Sequence, residues 1–412
     1  MESKKKPNSR RRFIKQSIGG AAMASLPFST EAFEAKALKP NKQTNSRARK
    51  DVMDLTAQEK KDFTDGILAL KATASPFFKN NMLSYYDSLV RIHQLAVIQS
   101  RKQGWGIGHK CPSLLTFHRK LVLLLEEAIC TVMDKEVAIP YWDWTNAASI
   151  PVVFNEDFMG DQIGDPADNY AVTKGPFKKG EYELNLITVP DGDTDYLNFC
   201  PFTFLTRGPN KGNSALPDFM GELTLPSAQD VTDALKCTSY DNSPYNPLVD
   251  REKSFRNYLG GWGLDSGAPT LHNVVHSWTG GAWDSSSYRF MPKAVNKDAT
   301  DCTPAINIPA GWVSGTRHYV GTMQALQTSA NDPVFFIHHA NVDRIWAQWQ
   351  AQSGNAGAAG YVPEGAADLK KGWGLKDAIP PFAAHAGIAE MDKHGYTNEA
   401  MLNLRSLGYY YA

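Results

Sequence analysis

The sequence predicts a mainly α protein, in which a few long amphipathic helices make the core and long irregular loops with few short strands decorate it. Two observations carry that expectation. Four segments repeat apolar residues at three- and four-residue spacing, and the stretch from about Thr145 to Phe255 is crowded with Asp, Asn, Gly and Pro. A third narrows it, because no period of solenoid or propeller length is visible. With 412 residues, 42% apolar and 11% aromatic, the chain can bury one large core or two modest ones. Lys+Arg and Asp+Glu both number 43, so there is no net field to attract nucleic acid or an anionic membrane. A small-molecule partner is expected instead, and nothing speaks to oligomeric state.

The first residues differ from the rest. Ser9-Arg10-Arg11-Arg12-Phe13-Ile14-Lys15 precedes a mildly apolar, small-residue run from Ile18 to Phe28, the layout of a twin-arginine export signal more than of an ordinary basic terminus. Ala35-Lys36-Ala37 offers a small-x-small cleavage site. Residues 1–37 are read as a signal for the Tat export machinery, 38–47 as a polar linker and 48–412 as the functional domain, with a periplasmic or secreted destination. No other stretch is apolar enough to span a bilayer. The five cysteines, Cys111, Cys130, Cys200, Cys237 and Cys302, include no Cys-x-x-Cys pair, which argues against zinc-finger chemistry. An oxidising destination permits a disulfide among Cys200, Cys237 and Cys302, with connectivity left open.

The first helix should start at Thr56, an N-cap with Glu59 three residues on. From Asn81 to Gln103, Met82, Tyr85, Tyr86, Leu89, Val90, His93 and Val97 form one helical stripe. A second stripe from Ser113 to Asp134 carries Leu114, Phe117, His118, Leu121, Val122, Leu125 and Ile129. The loop-rich excursion follows, with short β-like runs such as Asn198 to Thr206. Helical spacing returns at Thr270 to Trp278 and at Pro333 to Gln350, and both segments hold histidines.

Ten histidines are present, and their placement is the main functional signal. His272 and His276, four apart on a helix, project from one face and can share a metal. That spacing alone is weak, and without a Glu after the first histidine it lacks the zinc-protease pattern. His338 and His339 are adjacent, about a hundred degrees apart on a helix, so only one should enter a given site, and which one stays open. His93 and His118 lie on apolar stripes, and His109 follows the Gly-rich turn from Gly104 to Gly108. Six histidines on apolar helices or a tight turn, with hardly a Cys or carboxylate among them, point to a nitrogen-ligand metal site. Imidazole suits copper, zinc, iron or nickel, so ligand type does not choose the metal.

Further residues do. His109-Lys-Cys-Pro-Ser-Leu-Leu-Thr-Phe117-His118-Arg119, closing with Glu126, resembles the copper A motif of the tyrosinase family. Asn331-Asp-Pro333-Val-Phe335-Phe-Ile-His-His339-Ala-Asn-Val-Asp343-Arg-Ile-Trp346 resembles its copper B motif. Ile139 to Thr145 and Leu271 to Trp278 are similar to intervening stretches of that family. Arg49 and the final Tyr409-Tyr-Tyr411 resemble the arginine and Tyr-x-Tyr pair that close its core domain. The resemblance spans about residues 47 to 412.

The resemblance implies a four-helix bundle around a binuclear type 3 centre of two copper ions, with dioxygen as cosubstrate. One copper falls to His93, His109 and His118, the other to His272, His276 and His339. It also implies oxidation of o-diphenols such as catechol to o-quinones, the reaction of a tyrosinase or catechol oxidase, with small phenols as partners. For hydroxylation of monophenols such as tyrosine, the family pattern implies a water held by a Glu and by the Asn after the fourth histidine. Asn273 is present, but Gly260-Gly261-Trp262 stands where related bacterial enzymes have Glu-Gly-Trp or Glu-Gly-Phe, leaving Asp265 as the nearest substitute. Asp343, one turn beyond His339, is expected to orient an imidazole from the second shell of ligands. Ser277 and Met323 are expected near the substrate. No Cys stands between His93 and His109, so no thioether to the second histidine is expected. No C-terminal shielding domain of the kind found in some relatives is expected after Tyr411-Ala412, so the site is expected to be open or covered by the excursion. An o-aminophenol oxidase and a hemocyanin-like oxygen carrier are the alternatives.

Overall fold

A computed structural model of the chain describes residues 46–78, 83–187, 200–209, 223–261, 271–285, 317–362 and 364–412. The export signal, Asp265 and Cys302 lie outside the described residues. All described residues belong to one compact unit, Asn45–Ala412.

Helix α1 (Ala57–Ala72) starts where the sequence places it. Thr56 Oγ1 accepts from the Glu59 amide at 3.2 Å while the Glu59 carboxylate accepts from the Thr56 amide at 2.9 Å, a reciprocal cap. Helix α2 (Tyr85–Gln103) begins four residues later than its apolar stripe suggests, because Ser84 and Asp87 form a second capping box. It ends on Gly104, whose φ of 78° is left-handed and favours glycine. Helix α3 (Leu114–Met133) is buried on every side from Leu114 to Ile129, including Arg119, Lys120, Glu126 and Glu127, and packs against both α1 and α2.

Among its described residues the excursion forms short helices, α4 (Ile150–Val153) and α5 (Ala228–Leu235), and α6 (Phe255–Gly260) follows at its end. The β-like run ending at Thr206 differs from expectation: Phe204 and Thr206 make isolated bridges to Glu183 and Ala171, and no strand forms among its described residues. Helices α7 (Leu271–Gly280) and α8 (Val334–Gln350) pack on each other, and α8 also packs on α3. Helices α2, α3, α7 and α8 thus form the four-helix core, while the short α9 (Ala389–Asp392) packs on α3. Trp142, Trp144, Trp278, Trp346 and Trp349 are all buried in it.

Among the described residues there are two small sheets: β1 (Arg47–Arg49) pairs in parallel with β4 (Tyr409–Tyr411), and β2 (Ala282–Ser285) pairs antiparallel with β3 (Arg317–Val320). The first sheet ties the two ends of the described chain together over the bundle. Arg49 Nε and Nη2 bond the two Glu126 oxygens at 3.0 and 3.1 Å, and its guanidinium lies 3.5 Å from the centre of the Tyr409 ring. Cys111, Cys130, Cys200 and Cys237 are free thiols, so no disulfide joins Cys200 to Cys237. No described helix is long and apolar enough to cross a membrane.

Candidate metal centre

Two groups of imidazoles face each other inside the bundle. His93 on α2, His109 in the turn before α3 and His118 on α3 form the first; His272 and His276 on α7 and His338 and His339 on α8 form the second, each group having its ligand atoms within 4.8 Å of one another. The His118 and His339 rings stack at 4.0 Å and 6°, joining the groups. Phe335, one turn before His339, fills the remaining space, 5.0 Å from the His93 ring and 4.2 Å from that of His339. All of these histidines are buried except His276, which is partly exposed beside the partly exposed Asn273 and Ser277.

Backbone geometry builds the first group. Gly108 and Lys110 have φ of 65° and 57°, so the chain reverses on either side of His109. A Cβ on Gly108 would lie 2.7 Å from the Phe117 ring, which makes glycine necessary there. The reversal brings His109 Nε2 to 3.1 Å from His93 Nε2.

Hydrogen bonds then decide the tautomers. His93 Nδ1 faces the Gln327 carbonyl at 3.4 Å, His118 Nδ1 the Leu114 carbonyl at 2.8 Å, and His276 Nδ1 the Met323 carbonyl at 2.9 Å. His272 Nδ1 lies 3.0 Å from Asn273 Oδ1 and 3.4 Å from the Gly260 carbonyl, and Asn273 Nδ2 donates to the Gly261 carbonyl at 3.2 Å. A carbonyl oxygen only accepts, so each of these Nδ1 atoms carries the proton and each Nε2 presents a lone pair. Burial pushes His93 and His272 down to about 4 and the other five well below the ordinary imidazole value, which keeps all seven neutral.

Neutral rings in these tautomers fit a metal and little else. His272 Nε2 and His276 Nε2 lie 3.1 Å apart, and His276 Nε2 lies 3.3 Å from His339 Nε2. Two lone pairs facing at that distance repel unless a cation lies between them. Imidazole–metal bonds of about 2.0–2.1 Å set roughly 100° apart place nitrogens about 3.1–3.3 Å from each other. The buried His118 Nε2 has no hydrogen-bond partner, which a metal would also supply. Both groups therefore fit a dicopper site.

Three expectations change. Asp343 touches no imidazole: its carboxylate accepts from Arg49, Arg119, Tyr409 and Tyr411, which saturates it. One turn beyond His339 it has already turned towards α3 and the closing sheet, while backbone carbonyls orient His93, His118 and His276. Met323 acts through its carbonyl, since its side chain is completely buried and out of a substrate's reach. His338, which helix geometry set apart from its neighbour, joins the second group, its ring stacked on His272 at 5.2 Å and 23°. The 3.3 Å contact to His276 and the stack on His118 favour His339 as the donor of the pair. Sequence reasoning named Phe335 in a motif but gave it no role, and missed the carbonyls of Leu114 and Gln327. The i,i+4 step from Phe335 to His339 was the only available signal among them.

A family model described as the common central domain of tyrosinase matches residues 83–352. The tyrosinase of Streptomyces antibioticus is 30% identical over 321 residues, 77% of this chain and 86% of that protein. Grixazone synthase of Streptomyces griseus is 30% identical over 318 residues, 74% of this chain and 84% of that protein. In three dimensions the chain resembles a polyphenol oxidase from Thermothelomyces thermophila, with a TM-score of 0.50 at 18% identity over 89% of each chain, a likeness of fold.

Proposed function

The chain belongs to the tyrosinase family and is an oxidoreductase of the tyrosinase type, and from that premise we propose that it oxidises o-diphenols to o-quinones with dioxygen at two copper ions. His93, His109 and His118 would hold one copper, and His272, His276 and His339 the other. The observation that carries this reading is the pair of Nε2 lone pairs of His272 and His276, held 3.1 Å apart by the Asn273, Gly260 and Met323 oxygens behind them. When bound, the copper pair supplies the two-electron route from a catechol to dioxygen.

The protein's own residues do the rest. His276, Asn273 and Ser277 are the partly exposed positions on α7, so a phenol ring approaches there. Phe335 and the buried stripes of α2, α3 and α8 exclude water from the far side. Asn273 holds His272 in its tautomer and is itself tied to Gly261, so its first role is to orient a ligand. Gly260 brings a backbone carbonyl beside His272 and no carboxylate. An o-diphenol gives up two electrons and two protons, which reduce dioxygen towards water, whereas a monophenol must first be deprotonated by a base and then take up an oxygen atom. Diphenols are therefore the main substrates, and hydroxylation of tyrosine depends on Asp265. Residues 1–37 would send the folded protein through the Tat machinery.

The test is oxygen uptake by copper-loaded protein given catechol, L-DOPA, L-tyrosine or o-aminophenol, beside a His276→Ala control. Uptake with catechol and L-DOPA well above that with tyrosine supports the reading. Preference for o-aminophenol would change the substrate class, and oxygen binding without turnover of any substrate would make the protein a carrier.

A further inference from the structure

Arg207 sits within the loop-rich excursion and touches no histidine, yet it and its neighbours bond to three parts of the frame that carries His276 and His339. Its buried Nε and Nη2 donate to the two Asp332 oxygens at 2.8 Å each, and Nη1 donates to the Met159 and Asp161 carbonyls at 2.8 and 2.7 Å. Asp332 in turn accepts from the Val334 amide at 3.1 Å, at the first turn of α8, the helix that carries His339. The flanking backbone reaches the other two supports. The Thr206 amide donates to Thr322 Oγ1 at 3.0 Å and the Thr322 amide to the Thr206 carbonyl at 2.9 Å, next to Met323, whose carbonyl holds His276. The Gly208 amide donates to the carbonyl of Gly280, the last residue of α7, at 2.7 Å. These contacts are close: a Cβ on Gly208 would lie 2.6 Å from the Trp283 ring, and one on Gly321 would lie 1.9 Å from the Gly280 oxygen.

We propose that Arg207 is the positioning residue of the second histidine group, the clamp that sets α7, the Met323 carbonyl and the start of α8 so that His276 and His339 converge on one ion. This rests on the dicopper reading above. A guanidinium suits the task because its planar fork holds a carboxylate at two points and still has donors for two carbonyls, whereas a lysine ammonium offers one point charge. Most of the first group is held differently, with His118 fixed by Leu114 of its own helix and His109 by the Gly-rich turn, and only His93 leans on the loop beyond Met323, through a long 3.4 Å contact to the Gln327 carbonyl.

The experiment measures release of copper to a chelator, with copper alone as the probe. His93→Ala/His118→Ala empties the first group and His272→Ala/His276→Ala empties the second, leaving one copper in each protein. Arg207→Lys should speed release from the second group by about tenfold or more, the scale expected when support behind a ligand is lost, and leave release from the first group within about twofold. Glu127→Gln, which removes a different buried partner of Lys393 and His394, controls for general loosening and should change neither rate. If Arg207→Lys does not fold, Thr322→Val breaks the link from Thr206 to the loop of Met323 while keeping the fork, and should show the same selectivity. Equal acceleration in both proteins, or none in either, overturns the proposal. If neither protein holds copper before the Arg207 substitution is made, the dicopper reading itself falls, and the positioning role with it.

Discussion

Replacing Asp343 by asparagine separates structural support from ligand support. The carboxylate takes donors from Arg119, Arg49, Tyr409 and Tyr411, and both arginines are fully buried. An amide would place an N–H2 against these donors and remove the charge. Arg49 would keep its two bonds to Glu126, but Arg119 would be left with the neutral Gln350 side chain and the Met401 carbonyl. A buried guanidinium without a counter-charge costs about 3–5 kcal/mol. A residue that orients a metal ligand behaves otherwise: its loss lowers metal affinity about 10- to 100-fold with little effect on the fold. Urea unfolding of the metal-free protein and copper competition with a chelator read the two effects apart. The expected result is a large fall in unfolding midpoint with copper affinity within about twofold of the wild type. A tenfold loss of affinity with an unchanged midpoint would refute the reasoning and return Asp343 to the histidines.

Gly321→Ala should weaken the second copper, because a methyl 1.9 Å from the Gly280 oxygen must displace either the end of α7 or the loop carrying the Met323 carbonyl; metal content by atomic spectroscopy would fall from about two towards one per chain. His276→Ala should likewise retain the first copper and abolish oxygen uptake with catechol, while full uptake would remove His276 from the ligand set. Acid sensitivity should pass through Glu126. Burial works against its charge, but Arg49 and Arg47 outweigh that and hold its pKa below the ordinary 4.5. The folded value is below the unfolded one, so its contribution is full above about pH 4.5 and is lost as pH falls through the folded value. Glu126→Gln should be less stable near neutrality by about 3–5 kcal/mol. Its stability should also fall less steeply below pH 4.5, and an unchanged acid slope would contradict the pairing.

Much of the fold was legible because its signals are periodic. The stripes of α3 and α8 and the Thr56 cap each depend on residues close in sequence, and the structure keeps their limits nearly to the residue. The start of α2 slipped because apolar spacing ran on past the Ser84–Asp87 cap, and a cap overrules a stripe when it satisfies the first free amides. The histidines were legible for a different reason: imidazoles on buried helical faces need an explanation that other polar residues there do not. What surrounds them was not. The atoms that fix His93, His118 and His276 are carbonyls of Gln327, Leu114 and Met323, and a carbonyl leaves no mark on residue type. Asp343 shows the converse error, since a carboxylate one turn from a ligand attracts a functional reading although two buried arginines already claim it. The same blindness hid Arg207. Composition marked its segment as loop, and only three dimensions reveal that this loop bonds to α7, to the Met323 turn and, through Asp332, to α8. A site built from four helices and one turn would take all its ligands but His109 from periodic sequence and its precision from irregular sequence, so changes in the excursion should alter how tightly the second group would hold its ion before they alter which residues would hold it.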